Sequence, residues 1–190
     1  LVPFKGPDMA LAAAAPLVRE GRVILDIIGD GPEMPRLKEF VAREKLEAGV
    51  KLDGWVEHSK VHQRLCESDV FLFPSIREFG GAVVVEAMAL GLVPIVVNYG
   101  GPAETVTDST GFRVPLGSRA EIITNLREVL SHLAVDPSSL GPMSKRAQRH
   151  ALNHFTWSAK AKQVLEVYRW VLKQRPGRPD FGRPFRDDAG

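Results

Sequence analysis

The chain has 190 residues, 44% of them hydrophobic and 25% charged, with a formal net charge of +2. That length suits one domain with a sizeable core and is short for two, and the near-balanced charge gives no reason to expect nucleic acid as a partner. Cys66 is the only cysteine, which excludes an internal disulfide framework and points to a reducing, cytoplasmic setting. No apolar run approaches the roughly 20 residues that span a bilayer. Leu1-Val2-Pro3-Phe4-Lys5 reads neither as a start nor as a signal peptide, so the chain is expected to be an excised piece.

In chain order, a helix is predicted over 8–19, capped by Asp8, with Met9, Leu11, Leu17 and Val18 among its apolar positions and Gly21 as its stop. Residues 23–28 read as a buried strand ending in the turn Gly29-Asp30-Gly31-Pro32. A charged helix follows over 34–47, with Leu37, Phe40, Val41 and Leu46 as its apolar stripe. Residues 50–55 form a second strand, Ser59 caps a helix through 68, and 70–73 form a third strand closed by Pro74-Ser75.

Residues 82–90 carry conflicting signals. Val83-Val84-Val85 favours strand, whereas Glu86-Ala87-Met88-Ala89-Leu90 before Gly91 favours helix. The segment reads as a helix that is apolar nearly all round and therefore buried. Strands follow at 93–97 and 111–114, then helices at 120–132, 138–154 and 158–173. The expected organisation is one domain over 1–175 and a disordered tail over 176–190, where Pro, Gly and Arg leave little to bury. Short buried strands alternating with helices imply a Rossmann-like α/β fold, a mostly parallel sheet with helices on both faces. Ligands of such sheets bind at the carboxyl ends of strands, which selects the loops at 29–32, 55–58, 74–81 and 98–104.

The loop after the third strand carries the strongest chemistry. Glu78 lies in it, Gly80 and Gly81 lead into a helix, and Glu86 sits about one turn inside. A helix start offers unpaired N–H groups and partial positive charge to a phosphate or to hydroxyls. A carboxylate among Val and Ala needs a partner, and paired ribose hydroxyls would serve. The plainer alternatives are an Arg partner for Glu86 and a solvated Glu78.

The series extends along the chain. Glu78 and Glu86 are separated by seven residues and followed by Ala87-Met88-Ala89-Leu90-Gly91 and Pro94. Ile28 to Pro32, Gly54-Trp55-Val56, Ser68-Asp69-Val70, Phe73-Pro74-Ser75, Gly100 to Glu104, Thr110-Gly111-Phe112 and Phe155-Thr156-Trp157 take their places around it. This ordered set resembles glycosyltransferase family 4, retaining enzymes of the two-domain GT-B fold. The resemblance covers roughly residues 4–172.

It implies the donor-binding half of an enzyme that moves a sugar from a nucleoside-diphosphate sugar to a glycan, lipid or small-molecule acceptor, as in polysaccharide biosynthesis. It further implies that Glu78 contacts the donor sugar, Glu86 binds the ribose, and the amides of Phe79, Gly80, Gly81 and Ala82 meet sugar and diphosphate. Lys5 of Lys5-Gly6 matches the cation that neutralises the leaving diphosphate, a charge that grows in the transition state; a solvated lysine is the plain alternative. Gly29, Gly31, Trp55 and Val56 complete the expected donor site. The donor is a UDP-, GDP- or ADP-sugar, with no metal and no other cofactor. Two departures stand out: Phe79-Gly80-Gly81 replaces the usual Gly-Phe-Gly, and the family's Arg before the Lys has no counterpart. The first strand and the amino-terminal acceptor domain are expected to be missing, leaving a fragment that transfers nothing.

A non-catalytic nucleotide-sugar module and a sugar-nucleotide epimerase-like domain remain alternatives. His58 and His62 have metal-like spacing, but no third ligand is evident nearby, so they read as surface histidines. Cys66, Trp157 and Trp170 read as packing or docking residues. Lys145, Arg146, Arg149 and His150 read as a solvated basic face, with peripheral membrane contact left open for the full-length protein at the inner membrane surface.

Overall fold

The computed structural model describes residues 1–181. Two parallel ladders organise it. β1 (Leu25–Ile28) pairs with β2 (Val50–Gly54), and β3 (Val70–Phe73), β4 (Val93–Val97) and β5 (Phe112–Val114) form the second in that order. β3 and β4 occupy the predicted residues. All five side chains of β4 are buried, as a strand covered on both faces requires. Pro94 costs this central strand no ladder bond. Val93 N donates to Asp69 O on the β3 side, so the next nitrogen faces β5, whose pairing begins one residue later at Ile95.

The described residues form eight α-helices: α1 (Pro7–Arg19), α2 (Met34–Glu44), α3 (His58–Cys66), α4 (Ala82–Ala89), α5 (Gly100–Thr105), α6 (Arg119–Val135), α7 (Leu140–His154) and α8 (Trp157–Val171). The chain divides into two units, the first being Leu1–Ala151. Its main core joins α1, α2 and α6 to both ladders through Leu11, Leu17, Leu37, Val50, Ile95, Val97, Ile122 and Leu126. On the other face, Phe73, Val84, Met88, Val96 and Val106 pack with Ala147 and Ala151 of α7.

α1 shows how sequence and packing meet. Its alanines let it lie deep, with Ala13 and Ala14 wholly buried. Pro16 inside the helix removes the N–H that would serve the carbonyl of Ala12. Arg127 of α6 supplies the missing donor, Nη2 to Ala12 O at 3.0 Å, with Nε reaching Ala13 O at 3.4 Å.

Several local expectations change. The N-cap of α1 is Gly6 in a left-handed conformation, and Asp8 instead accepts two bonds from Arg119 of α6. Glu57, not Ser59, precedes α3, and the Ser59 hydroxyl donates to the Glu57 carboxylate at 3.0 Å. The predicted loop 98–104 contains the short helix α5. α6 starts one residue before its predicted position, on a Ser118–Glu121 capping box. Cys66 is exposed, not packed.

In the second unit, α8 is capped by the Thr156 hydroxyl, which accepts from Ala159 N at 3.2 Å. α8 has no fully buried residue, and Trp157 and Trp170 are exposed, so neither fills a core. Residues 176–181 carry neither helix nor strand; the remainder of the predicted tail, 182–190, lies outside the described residues. Among the described residues, no helix is long and apolar enough to cross a membrane.

Candidate functional site

The loops at the carboxyl ends of β1, β2 and β3, with helix α4 that follows β3, hold the expected donor-site residues; the exception, Lys5, precedes α1. In the β1 loop, Gly29 N donates to Gly54 O at 2.7 Å, which ties the turn to the end of β2. Gly31 lies directly under the backbone of Leu1, where a Cβ would stand 2.4 Å from Leu1 N and O, so only glycine fits. After β2, Trp55 is 77% exposed and Val56 half-buried.

Lys5 ends a short 3₁₀ turn, Pro3–Lys5, and is exposed. The turn is fastened to the loop after β3. Phe4 O accepts from Ile76 N at 3.0 Å and from the buried Ser75 hydroxyl at 3.3 Å. Lys5 and the Glu78 loop are therefore parts of one hydrogen-bonded edge, although they are more than seventy positions apart in sequence.

The loop from Glu78 to Gly81 rests on the start of α5. A Cβ on Gly101 would lie 2.2 Å from Phe79 O, and one on Gly100 would lie 2.6 Å from Glu78 O. These are backbone contacts that no side-chain motion relieves, so the two loops can meet only through glycine. Gly81, at φ 62°, caps α4 and packs against Pro102. Glu78 is half-buried, Gly80 and Ala82 are exposed, and the Phe79 side chain is fully solvent-facing.

Glu86 overturns an expectation. It is exposed, not buried among Val and Ala. α4 buries Val84, Ala87 and Met88, while Ala82 and Glu86, four apart, form an outward line. The helix is one-sided despite its composition.

That line faces α3. A carboxylate oxygen of Glu86 and ring nitrogens of His58 and His62 all lie within 4.8 Å of one another. The two imidazoles meet edge to face, centroids 4.5 Å apart. The histidines thus have a nearby third donor that was not evident along the chain, because α3 and α4 meet only in the fold.

α3 itself has no fully buried residue. Arg64 anchors it, with Nε on Asp26 of β1 at 3.0 Å and Nη2 also on Asp53 of β2. The hydrogen bond to Asp26, reinforced by its charge, holds the Arg64 guanidinium still more firmly protonated. The other Asp26 oxygen is buried without a partner. The basic face of α7 is partly engaged, since Arg146 Nε donates to Ser109 O at 2.7 Å. A cavity of about 520 Å³ in the second unit, near Lys162 and Asp180, contains none of the site residues.

Ladders of parallel strands, helices on both faces and functional loops gathered at the strand ends define a Rossmann-like nucleotide-binding class of fold. The chain belongs to the group 1 glycosyltransferases: residues 1–150 match the family described as "Glycosyl transferases group 1". It is 26% identical over 173 residues to the GPI3 subunit of phosphatidylinositol N-acetylglucosaminyltransferase from Saccharomyces cerevisiae, covering 88% of this chain and 36% of that one. It is 30% identical over 176 residues to glycogen synthase from Deinococcus radiodurans, covering 87% and 35%. The chain therefore spans about a third of the length of these relatives. The crystal structure of Alr3699/HepE from Anabaena in complex with UDP aligns with a TM-score of 0.74 and 25% identity, over 92% of this chain and 47% of that one. The fold is that of one Rossmann-like half of a GT-B glycosyltransferase.

Proposed function

We propose that this chain is the donor-binding domain of a retaining glycosyltransferase of family 4 that takes its sugar from a nucleoside diphosphate. The observation that carries this reading is the edge built by three segments. The Lys5 turn is hydrogen-bonded to the β3 loop, that loop is seated on Gly100-Gly101, and α4 then presents Glu86 outward. One cation, one loop carboxylate, one helix carboxylate and a glycine-lined backbone stand along a single rim, which is the set a charged sugar nucleotide needs. The UDP held by HepE, a relative in fold, supports the same reading.

In this arrangement Glu86 accepts hydrogen bonds from the ribose hydroxyls. Its exposure suits that role better than burial would, because the carboxylate is free to meet a ligand. The amides of Phe79 to Ala82 meet sugar and diphosphate at the start of α4. Glu78 holds the sugar, and backbone near Trp55 and Val56, beside the Gly29–Gly31 turn, meets the base. Lys5 neutralises the diphosphate as it leaves from the face the acceptor enters, so the anomeric configuration is kept. Charge stabilisation by Lys5 and the amides leaves no step that requires a metal.

The two ladders fit an incomplete doubly wound sheet. In the strand order 3-2-1-4-5-6, β2 and β1 stand for strands 3 and 2, and β3, β4 and β5 for strands 4, 5 and 6. Strand 1 and the acceptor-binding half then belong to other parts of the protein, in keeping with the partial coverage of its relatives, and transfer needs both. The acceptor is a glycan, lipid or small molecule, and the reaction is placed in the cytoplasm.

Calorimetric titration with UDP, GDP and ADP, in the presence of a chelator, tests the reading. One nucleotide is expected to bind, and Glu86→Gln is expected to weaken it about tenfold, as for lost charge-assisted hydrogen bonds of roughly 1.5 kcal/mol or more. Equal affinity in the variant, or no binding of any nucleotide to the folded protein at millimolar concentration, would overturn it.

A further inference from the structure

We propose that His58, His62 and Glu86 form a binding site for a divalent transition-metal ion of the zinc class. The residues reach one point from two helices. His58 and His62 stand four apart on α3 and so share a face. Glu86 occupies the outward line of α4, opposite them. Their donor atoms lie within 4.8 Å of one another. Two ligands of a tetrahedral ion, each about 2.1 Å from it, lie about 3.4 Å apart, so closure asks for a movement of roughly 1 Å. His58 and Glu86 are exposed and His62 half-buried, so rotamer adjustment supplies that movement without disturbing the core.

The chemistry of the set selects the ion. Two imidazoles suit zinc, copper and nickel, while an oxygen-only shell would suit magnesium or calcium. Two histidines and one carboxylate leave a fourth position open to water or another donor. α3 is held by Arg64 on Asp26 and Asp53, not by buried side chains, so the histidine-bearing face is oriented by an ionic clamp two residues past His62.

The site has a consequence that rests on the donor-binding reading above. Glu86 cannot serve a metal and a ribose diol with the same lone pairs. Zinc on one carboxylate oxygen leaves a single oxygen for the diol and draws off the charge that strengthens its hydrogen bonds, so the ion acts as an antagonist of the nucleotide and not as its cofactor.

Metal-stripped protein titrated calorimetrically with zinc chloride alone, without nucleotide or phosphate, decides the site. One equivalent is expected to bind in the micromolar range. His62→Ala and Glu86→Gln are each expected to weaken it tenfold or more, and Cys66→Ser to leave it unchanged. Circular dichroism of each variant confirms folding, and cobalt(II) provides a second readout, its visible absorption disappearing when His58 and His62 are both alanine. Absence of saturable zinc binding, or an unchanged isotherm in the double variant, overturns the site. A titration with whichever of UDP, GDP and ADP binds, with and without zinc, decides the antagonism. A tenfold weaker nucleotide affinity in zinc, abolished in the double variant, is expected; equal affinities overturn it. Failure of all three nucleotides to bind in chelator would instead sink the donor reading and with it the antagonism, while the zinc isotherm would stand on its own.

Discussion

α1 and α3 are held in place by different physics. α1 lies in the main core with Leu11, Ala13 and Ala14 wholly buried, and a neighbouring arginine satisfies the carbonyl its own proline leaves free. α3 buries no residue fully and depends on one arginine shared between two aspartates. The Lys5 turn runs into α1, and α3 carries His58 and His62. The Lys5 end of the rim is thus built on a packed foundation, and the α3 end on an ionic clamp. Loss of core packing lowers the stability of the whole unit, whereas an ionic clamp weakens with salt and can loosen without unfolding the domain.

The largest expected effect separates the two helices by stability. Leu11→Ala should cost about 2–5 kcal/mol, as fully buried leucines do. Leu65→Ala on α3, half-buried, should cost about 1 kcal/mol. Urea denaturation of both variants checks this, and equal losses would erase the contrast. Arg127→Met comes next, keeping the aliphatic stem but removing the donor to Ala12 O. It should cost about 1 kcal/mol, the low end of the range for an orphaned acceptor, because the Ala12 carbonyl is part-buried. A neutral result would mean that Pro16 needs no repair.

Arg64→Ala sharpens the other side. Amide exchange in α3 should quicken several-fold while α1 and the thermal midpoint barely move. Joint acceleration of both helices would show that the clamp is global. The smallest effect lies in the first turn of α6. Hydrogen bonds from the Ser118 hydroxyl and backbone hold the Glu121 carboxyl below the ordinary glutamate value. A lowered folded-state pKa adds stability that is complete above the unfolded value and is lost as pH falls through the folded one. Exchange at the start of α6 should therefore rise on acidification through that window, and Ser118→Ala should remove this component. A profile unchanged by Ser118→Ala would rule out the capping box as its source.

Much of this was legible along the chain. Val70 to Phe73 and Val93 to Val97 could be read at their observed bounds because short β-branched and aromatic runs end at Pro74-Ser75 and Asn98. The Ser118-x-x-Glu121 signature was also present, although apolar periodicity alone places the start of α6 one residue late. α5 was hidden because Gly100-Gly101-Pro102 is ordinarily turn chemistry. The exposure of Glu86 was hidden for another reason: Val83, Val84 and Val85 describe how apolar α4 is, not which side of it meets the sheet. The Arg127–Ala12 bond spans 115 positions, and its only local trace is Pro16. The His58–His62–Glu86 cluster had half its signal in sequence, since the spacing of the histidines was visible and their approach to α4 was not.

The divided sheet has a practical consequence. Among the described residues β1 pairs only with β2, and β3 only with β4, so each has a row of backbone donors and acceptors without a ladder partner. In the doubly wound order proposed above, a single strand would satisfy both rows at once and join the two ladders into one sheet.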